Sequence, residues 1–92
     1  MTSDPISYRL EITTEAKADL KKLSKDAAER IVRKLLWVAE NMESVDHEAL
    51  KGQWSGLFRW RVGDYRAIYA IDHELRLISL VAAGHRRDVY DD

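Results

Sequence analysis

The stretch FRWRVGDYRAIY, residues 58–69, sets three arginines, Arg59, Arg61 and Arg66, around the pair Gly63-Asp64. A two-residue loop that starts with glycine is the signature of a type II′ hairpin. With Gly63-Asp64 as that loop, Val62 pairs with Tyr65, Arg61 with Arg66, Trp60 with Ala67 and Arg59 with Ile68. Opposite residues share a face and each strand alternates faces. Phe58, Trp60, Val62, Tyr65, Ala67 and Tyr69 therefore form one apolar face, the place for packed helices. Arg59, Arg61 and Arg66 gather on the other. Arg61 and Arg66 then sit roughly 5 Å apart at Cβ, and like charges directly opposite destabilise a sheet. Two readings follow: a basic face splayed into water, or a face whose repulsion a bound polyanion relieves. Guanidinium suits the second, being always charged and forked to match phosphate oxygens. On either reading, Arg66→Ala relieves repulsion and leaves stability unchanged or slightly higher.

The chain around this hairpin has 92 residues, room for one domain spanning 1–92. Its formal net charge is −1, so no global field draws a polyanion. Within residues 51–66, however, Lys51, Arg59, Arg61 and Arg66 face Asp64 alone, and any anion site is local. Cysteine is absent, which removes disulfide and thiolate chemistry and fits a reducing compartment. The start lacks the basic and apolar pattern of a signal peptide, and the longest apolar run, LLWVA, is far short of a membrane span. The expected setting is cytoplasmic, without a membrane partner.

Upstream, YRLEIT (8–13) alternates Tyr8, Leu10 and Ile12 with polar residues and predicts a half-buried strand. Thr13 or Thr14 offers a cap for a helix over 14–23, with Ala16, Leu20 and Leu23 on one face. Ser24 caps a longer helix over 26–42, whose apolar positions are Ala28, Ile31, Val32, Leu35, Ala39 and Met42. Residues 43–56, including His47, read as a linker, with solvated surface the default for His47 and His73. Downstream, LRLISLVAA predicts a third strand of a meander. The expected fold class is α+β: an N-terminal strand, two helices, then a three-stranded antiparallel meander with the helices on one sheet face. The meander must end in an edge strand, which invites pairing with another chain.

The tail AAGHRRDVY can fold over the arginine face. Continued alternation turns His85 toward that face; a bulge at Gly84 would turn Arg86 there instead, and the pattern leaves both open. No metal-ligand spacing, phosphate-cradling glycine loop or Ser-His-Asp context occurs, so no metal and no cofactor are expected.

The early strand, TTEAKADLKKL, the Leu50-Lys51-Gly52 step, FRWRVGDYRAIY and the closing GHRRDVY together resemble the RelE branch of the RelE/ParE toxin superfamily over nearly the whole chain. The resemblance implies a type II toxin held inactive by a cognate antitoxin, acting as a ribosome-dependent endoribonuclease on mRNA in the A site. It implies catalytic roles for Arg59, Arg61, Arg66, Arg86 and Tyr90, with Tyr90 stacking on or orienting a nucleotide, and RNA contacts by Lys51, His85 and Arg87. Arg59 and Leu57 stand where the family carries lysines. The chemistry implied is attack of a 2′-OH on the adjacent phosphorus, without metal, with arginines stabilising the charged transition state. Two alternatives share the scaffold: a ParE-like DNA gyrase inhibitor without nuclease activity, and a catalytically weak paralogue that binds antitoxin or RNA.

Overall fold

Two hydroxyls start the two helices. Thr13 Oγ1 accepts from the Ala16 amide at 3.1 Å, and Ser24 Oγ accepts from the Ala27 amide at 3.2 Å. Each satisfies one of the amide donors that a first turn leaves without an intrahelical partner. In the computed structural model, residues 7–89 are described. Strand β1 is Arg9–Ile12, helix α1 Thr14–Lys21 and helix α2 Lys25–Glu40. Then come β2 (Glu48–Ala49), a single helical turn at Gly52–Trp54, β3 (Phe58–Val62), β4 (Tyr65–Asp72) and β5 (Leu77–His85).

The five strands form one mixed sheet in the order β1-β5-β4-β3-β2, with β1 parallel to β5 and every other pair antiparallel. The meander is therefore extended on both sides. β1 closes one edge, and β2, inside the stretch read as a linker, forms the other. A two-residue strand carries too little alternation to be seen in the sequence. The hairpin has the expected register, Arg61 opposite Arg66 and Val62 opposite Tyr65. Gly63 has φ +59°, and Asp64 is not among the residues with positive φ. That combination fits a type II′ turn, in which only the first loop residue needs the left-handed region.

Both helices cover one sheet face. The core joins Ala16 of α1 and Ile31, Leu35, Val38 and Ala39 of α2 to Val62, Ala67, Tyr69, Ile78, Leu80 and Ala83 of the sheet, with Phe58, Trp60 and Tyr65 packed against it. The aromatic face of the hairpin is thus core. On α2 the buried face runs through Ala27, Ile31, Leu35, Val38 and Ala39. Ala28 and Val32, expected inward, are only half-buried and lie with exposed Leu36 on a neighbouring stripe. An apolar arc wider than one sheet can cover gave both positions the helical period. Among the described residues, no helix is long and apolar enough to cross a membrane.

The register of β5 shifts once. Ile68 faces Ala82 while Tyr69 faces Leu80, so Val81 is an extra residue in β5. This bulge inverts the parity of everything after it. Ala83 and His85 turn to the helix side, opposite Ala67 and Tyr65, and Gly84 comes opposite Arg66.

The burial contrast on α2 sets a stability prediction. Leu35→Ala, at a fully buried position, should cost about 2–5 kcal/mol. Leu36→Ala, at a position 47% exposed, should cost less than about 1 kcal/mol. Urea unfolding of the two variants checks the difference.

Candidate functional site

The sheet face opposite the helices carries two buried arginines. Arg59 is 3% exposed and Arg66 6%, so of the two readings, the basic face splayed into water does not hold for these two arginines. Burial of a guanidinium demands partners, since a lone charge loses far more hydration than packing returns. β2 supplies one. Pairing of Glu48 with Arg59 across the strands brings their side chains to the same face. Arg59 Nη2 donates to Glu48 Oε2 at 2.6 Å and Nε donates to Oε1 at 3.4 Å, a fork on the carboxylate. Arg61, with a side chain 55% exposed, reaches the same Oε2 at 3.4 Å. Hydrogen bonding from Arg59 above all holds the Glu48 carboxyl below its ordinary pKa; burial opposes this, and Arg61 adds to it.

The repulsion predicted between Arg61 and Arg66 is therefore relieved from within the chain. Arg61 turns toward Glu48. Arg66 turns to the hairpin loop, where Nη1 donates to the carbonyls of Gly63 at 3.0 Å and Tyr65 at 2.9 Å. Arg66→Ala would remove both bonds from a buried site, so the expectation that it leaves stability unchanged or raised is overturned: the variant should be less stable. Opposite Arg66, Gly84 offers no side chain. A Cβ there would stand 2.8 Å from Val89 Cγ2, which lies against that spot. The Arg86 amide donates to the Asp64 carbonyl at 2.8 Å, tying the tail to the same turn, and the Arg86 and Arg87 side chains are exposed.

Lys51 lies beside the fork. With Glu48, Ala49, Leu50 and Arg59 it lines a pocket of about 330 Å³. Lys51, Arg59, Arg61 and Arg66 thus share one region of the sheet face, and the backbone of Arg86 joins them at the turn. His85 does not. The bulge at Val81, rather than one at Gly84, puts it on the helix side, edge-on to Tyr65 at 5.6 Å between ring centroids, with the Arg87 amide 3.3 Å from its Nδ1. Tyr90 lies outside the described residues.

Two functional-site neighbours escaped the sequence reading. Glu48 sat in a stretch without periodicity, and only its pairing with Arg59, eleven residues on, reveals it. His47 is not solvated surface: it is half-buried, packs edge-on to Phe58 and Tyr69, and its Nδ1 lies 2.7 Å from Tyr69 Oη. Burial, and secondarily the charge of Glu48, push the Tyr69 hydroxyl far above its usual pKa, so it keeps its proton at neutral pH. Among the described residues, no group of three His, Cys, Asp or Glu is gathered to hold a metal ion.

A strand, two helices and a meander with arginines on its uncovered face define a small toxin fold, and the comparisons agree. Residues 10–90 match the family of the ParE toxin of type II toxin–antitoxin systems, parDE. The chain belongs to that family, in the RelE/ParE superfamily, and its relatives are RelE-like. It is 29% identical to Toxin RelG of Mycobacterium tuberculosis over 83 residues, 90% of this chain and 95% of the relative. Its fold is similar to the toxin–antitoxin complex RelBE2 of the same organism, with a TM-score of 0.79 and 28% identity over 88% of this chain and 93% of that one. The isolated RelE toxin of E. coli has the same fold at a TM-score of 0.70 and 21% identity, over 86% of this chain and 84% of that one.

The Glu48 fork makes a pH prediction. A carboxyl held below its usual pKa favours the fold at neutral pH, and that contribution fades as the pH falls through the depressed value. Glu48→Gln should cost about 1 kcal/mol at pH 7, a modest figure because the carboxylate is half exposed. The gap from the parent chain should close on acidification below about pH 4. Thermal melts of both proteins across that range check it; a constant gap would show that the pairing is not ionic.

Proposed function

We propose that this toxin cleaves mRNA in the ribosomal A site, with a cognate antitoxin as its inhibitor in the cytoplasm. The observation that supports the reading is the cationic sheet face, where Lys51, Arg59 and Arg61 gather around one carboxylate and Arg66 sits at the neighbouring hairpin turn. Attack of a 2′-OH on the adjacent phosphorus forms a P–O bond to that oxygen and breaks the bond to the 5′-oxygen. The products are a 2′,3′-cyclic phosphate and a 5′-OH. Negative charge grows on the phosphorane oxygens during the step, and preorganised guanidiniums stabilise it. Arg61 and Arg86, both exposed, are the groups that meet the phosphate first. Arg59 and Arg66 lie beneath as fixed positive charge.

Proton transfer is the weaker half of this site. The reaction needs a base for the 2′-OH and an acid for the leaving oxygen. Arginine is a poor candidate for either, and Glu48, held below its ordinary pKa by Arg59, is a weak base. A ribosome that stretches the message for in-line attack offsets the shortfall through orientation. Isolated RNA should accordingly be cut far more slowly than the same message on a ribosome with an empty A site.

A second reading, inhibition of DNA gyrase without cleavage, is favoured by the ParE description of the matching family and by the internal pairing of Arg59. The test is a time course on message with and without programmed ribosomes, with chelator in both, alongside a gyrase-trapping assay. Ribosome-dependent, chelator-resistant 5′-OH ends are expected, and Arg61→Ala should slow their appearance about 100-fold without unfolding the protein. Trapped gyrase with intact message would establish the second reading instead.

A further inference from the structure

On the helix side of the same hairpin, Arg30, Arg33, Lys34 and Trp37 follow one another at the spacing that puts residues on one face of α2. With Val62 and Gly63 they line a shallow cleft of about 490 Å³. All four side chains are exposed, Trp37 at 44%. No ion pair among the described residues engages Arg30, Arg33 or Lys34, although Asp26 and Glu29 stand one turn earlier on the same helix. Lys34 Nζ lies 4.6 Å from the centroid of the Trp37 ring and 5.9 Å from that of Trp60, and the two indoles are 6.3 Å apart. Its ammonium is thereby fixed over aromatic faces. Arg30 Nη2 is 3.2 Å from where a Gly63 side chain would begin, so the guanidinium lies close over the turn.

We propose that this cleft is a second RNA-binding surface, one that grips the phosphate backbone of folded RNA while the opposite sheet face receives the strand to be cut. Charge density favours a polyanion over an acidic polypeptide. Residues 30–34 place three cations along about 6 Å of helix axis, and a nucleic-acid strand carries one charge per roughly 3.4 Å of axis. An acidic helix matches that density only where carboxylates recur at this same spacing, whereas a nucleic-acid strand supplies it at every step. Continuity with the site is the second argument. Gly63 walls the cleft, and its carbonyl accepts from Arg66 on the other side. One RNA can therefore reach both surfaces around the hairpin turn. This inference rests on the RNA-cleaving reading above for its biological sense, but its test measures binding alone.

The experiment is fluorescence anisotropy with a fluorescein-labelled, fully 2′-O-methylated RNA hairpin, which cannot be cut, over a range of salt concentrations. The whole toxin chain is compared with Arg30→Ala/Arg33→Ala, Arg30→Lys/Arg33→Lys and Arg61→Ala, each checked for folding by circular dichroism. The double alanine variant should bind at least tenfold more weakly at low salt, with the slope of log affinity against log salt smaller by about two. The double lysine variant should regain most of both. Unchanged affinity and slope in the double alanine variant, or no binding by the parent chain, would overturn the proposal. So would poly-glutamate displacing the RNA at equal charge concentration, which would assign the cleft to an acidic protein partner. The two readings fail separately. An altered slope without any ribosomal cleavage sinks the nuclease and keeps the cleft; cleavage with an unaltered slope does the reverse.

Discussion

The structure depends on how it buries positive charge. Arg59 lies in a central position of the sheet face that the helices leave uncovered, almost wholly out of water. A guanidinium there is tolerable only with close hydrogen-bonded partners, and the fork to Glu48 is one of them. That requirement accounts for β2: two residues of strand suffice to carry one carboxylate to the right face and register. It also accounts for the orientation of Arg61, which shares the carboxylate. Arg66, directly opposite Arg61, turns away to the loop carbonyls. Three like charges on one small surface are thus separated into a carboxylate-bound pair and a carbonyl-bound single.

The bulge at Val81 is the second constraint. Without it, β5 would continue its alternation and set His85 among the arginines. With it, Gly84 occupies that side, leaving the space over Arg66 to Val89 and binding the tail to the hairpin turn through the Arg86 amide. The imidazole is spent on packing against Tyr65. The outcome is a face with abundant fixed positive charge and few groups able to move a proton.

Much of this was legible in residues 58–69. Gly63-Asp64 determined the turn, the turn determined the register, and alternation separated the aromatics from the arginines. The caps at Thr13 and Ser24 were readable because capping is local chemistry. What escaped was non-local. The parallel pairing of β1 with β5 links residues nearly seventy apart, and Glu48 has no periodic context to mark it. The bulge falls in the uniformly apolar run Leu80–Ala83, where one extra residue leaves no trace. Ala28 and Val32 kept the helical period yet fell beside the core, because period identifies an apolar arc and not how much of it the sheet covers.

Arg59 and Arg66 are buried foundations of the cationic face, while Arg61 is accessible from solvent. Labelling of the folded toxin with an arginine-selective dicarbonyl reagent, followed residue by residue by mass spectrometry, tests this most directly. The account predicts rapid modification of Arg61 and of the exposed Arg86, slow modification of Arg59 and Arg66, and loss of that contrast when the protein is unfolded. Modification of Arg59 and Arg66 in the folded chain at the rate of Arg61 would contradict it.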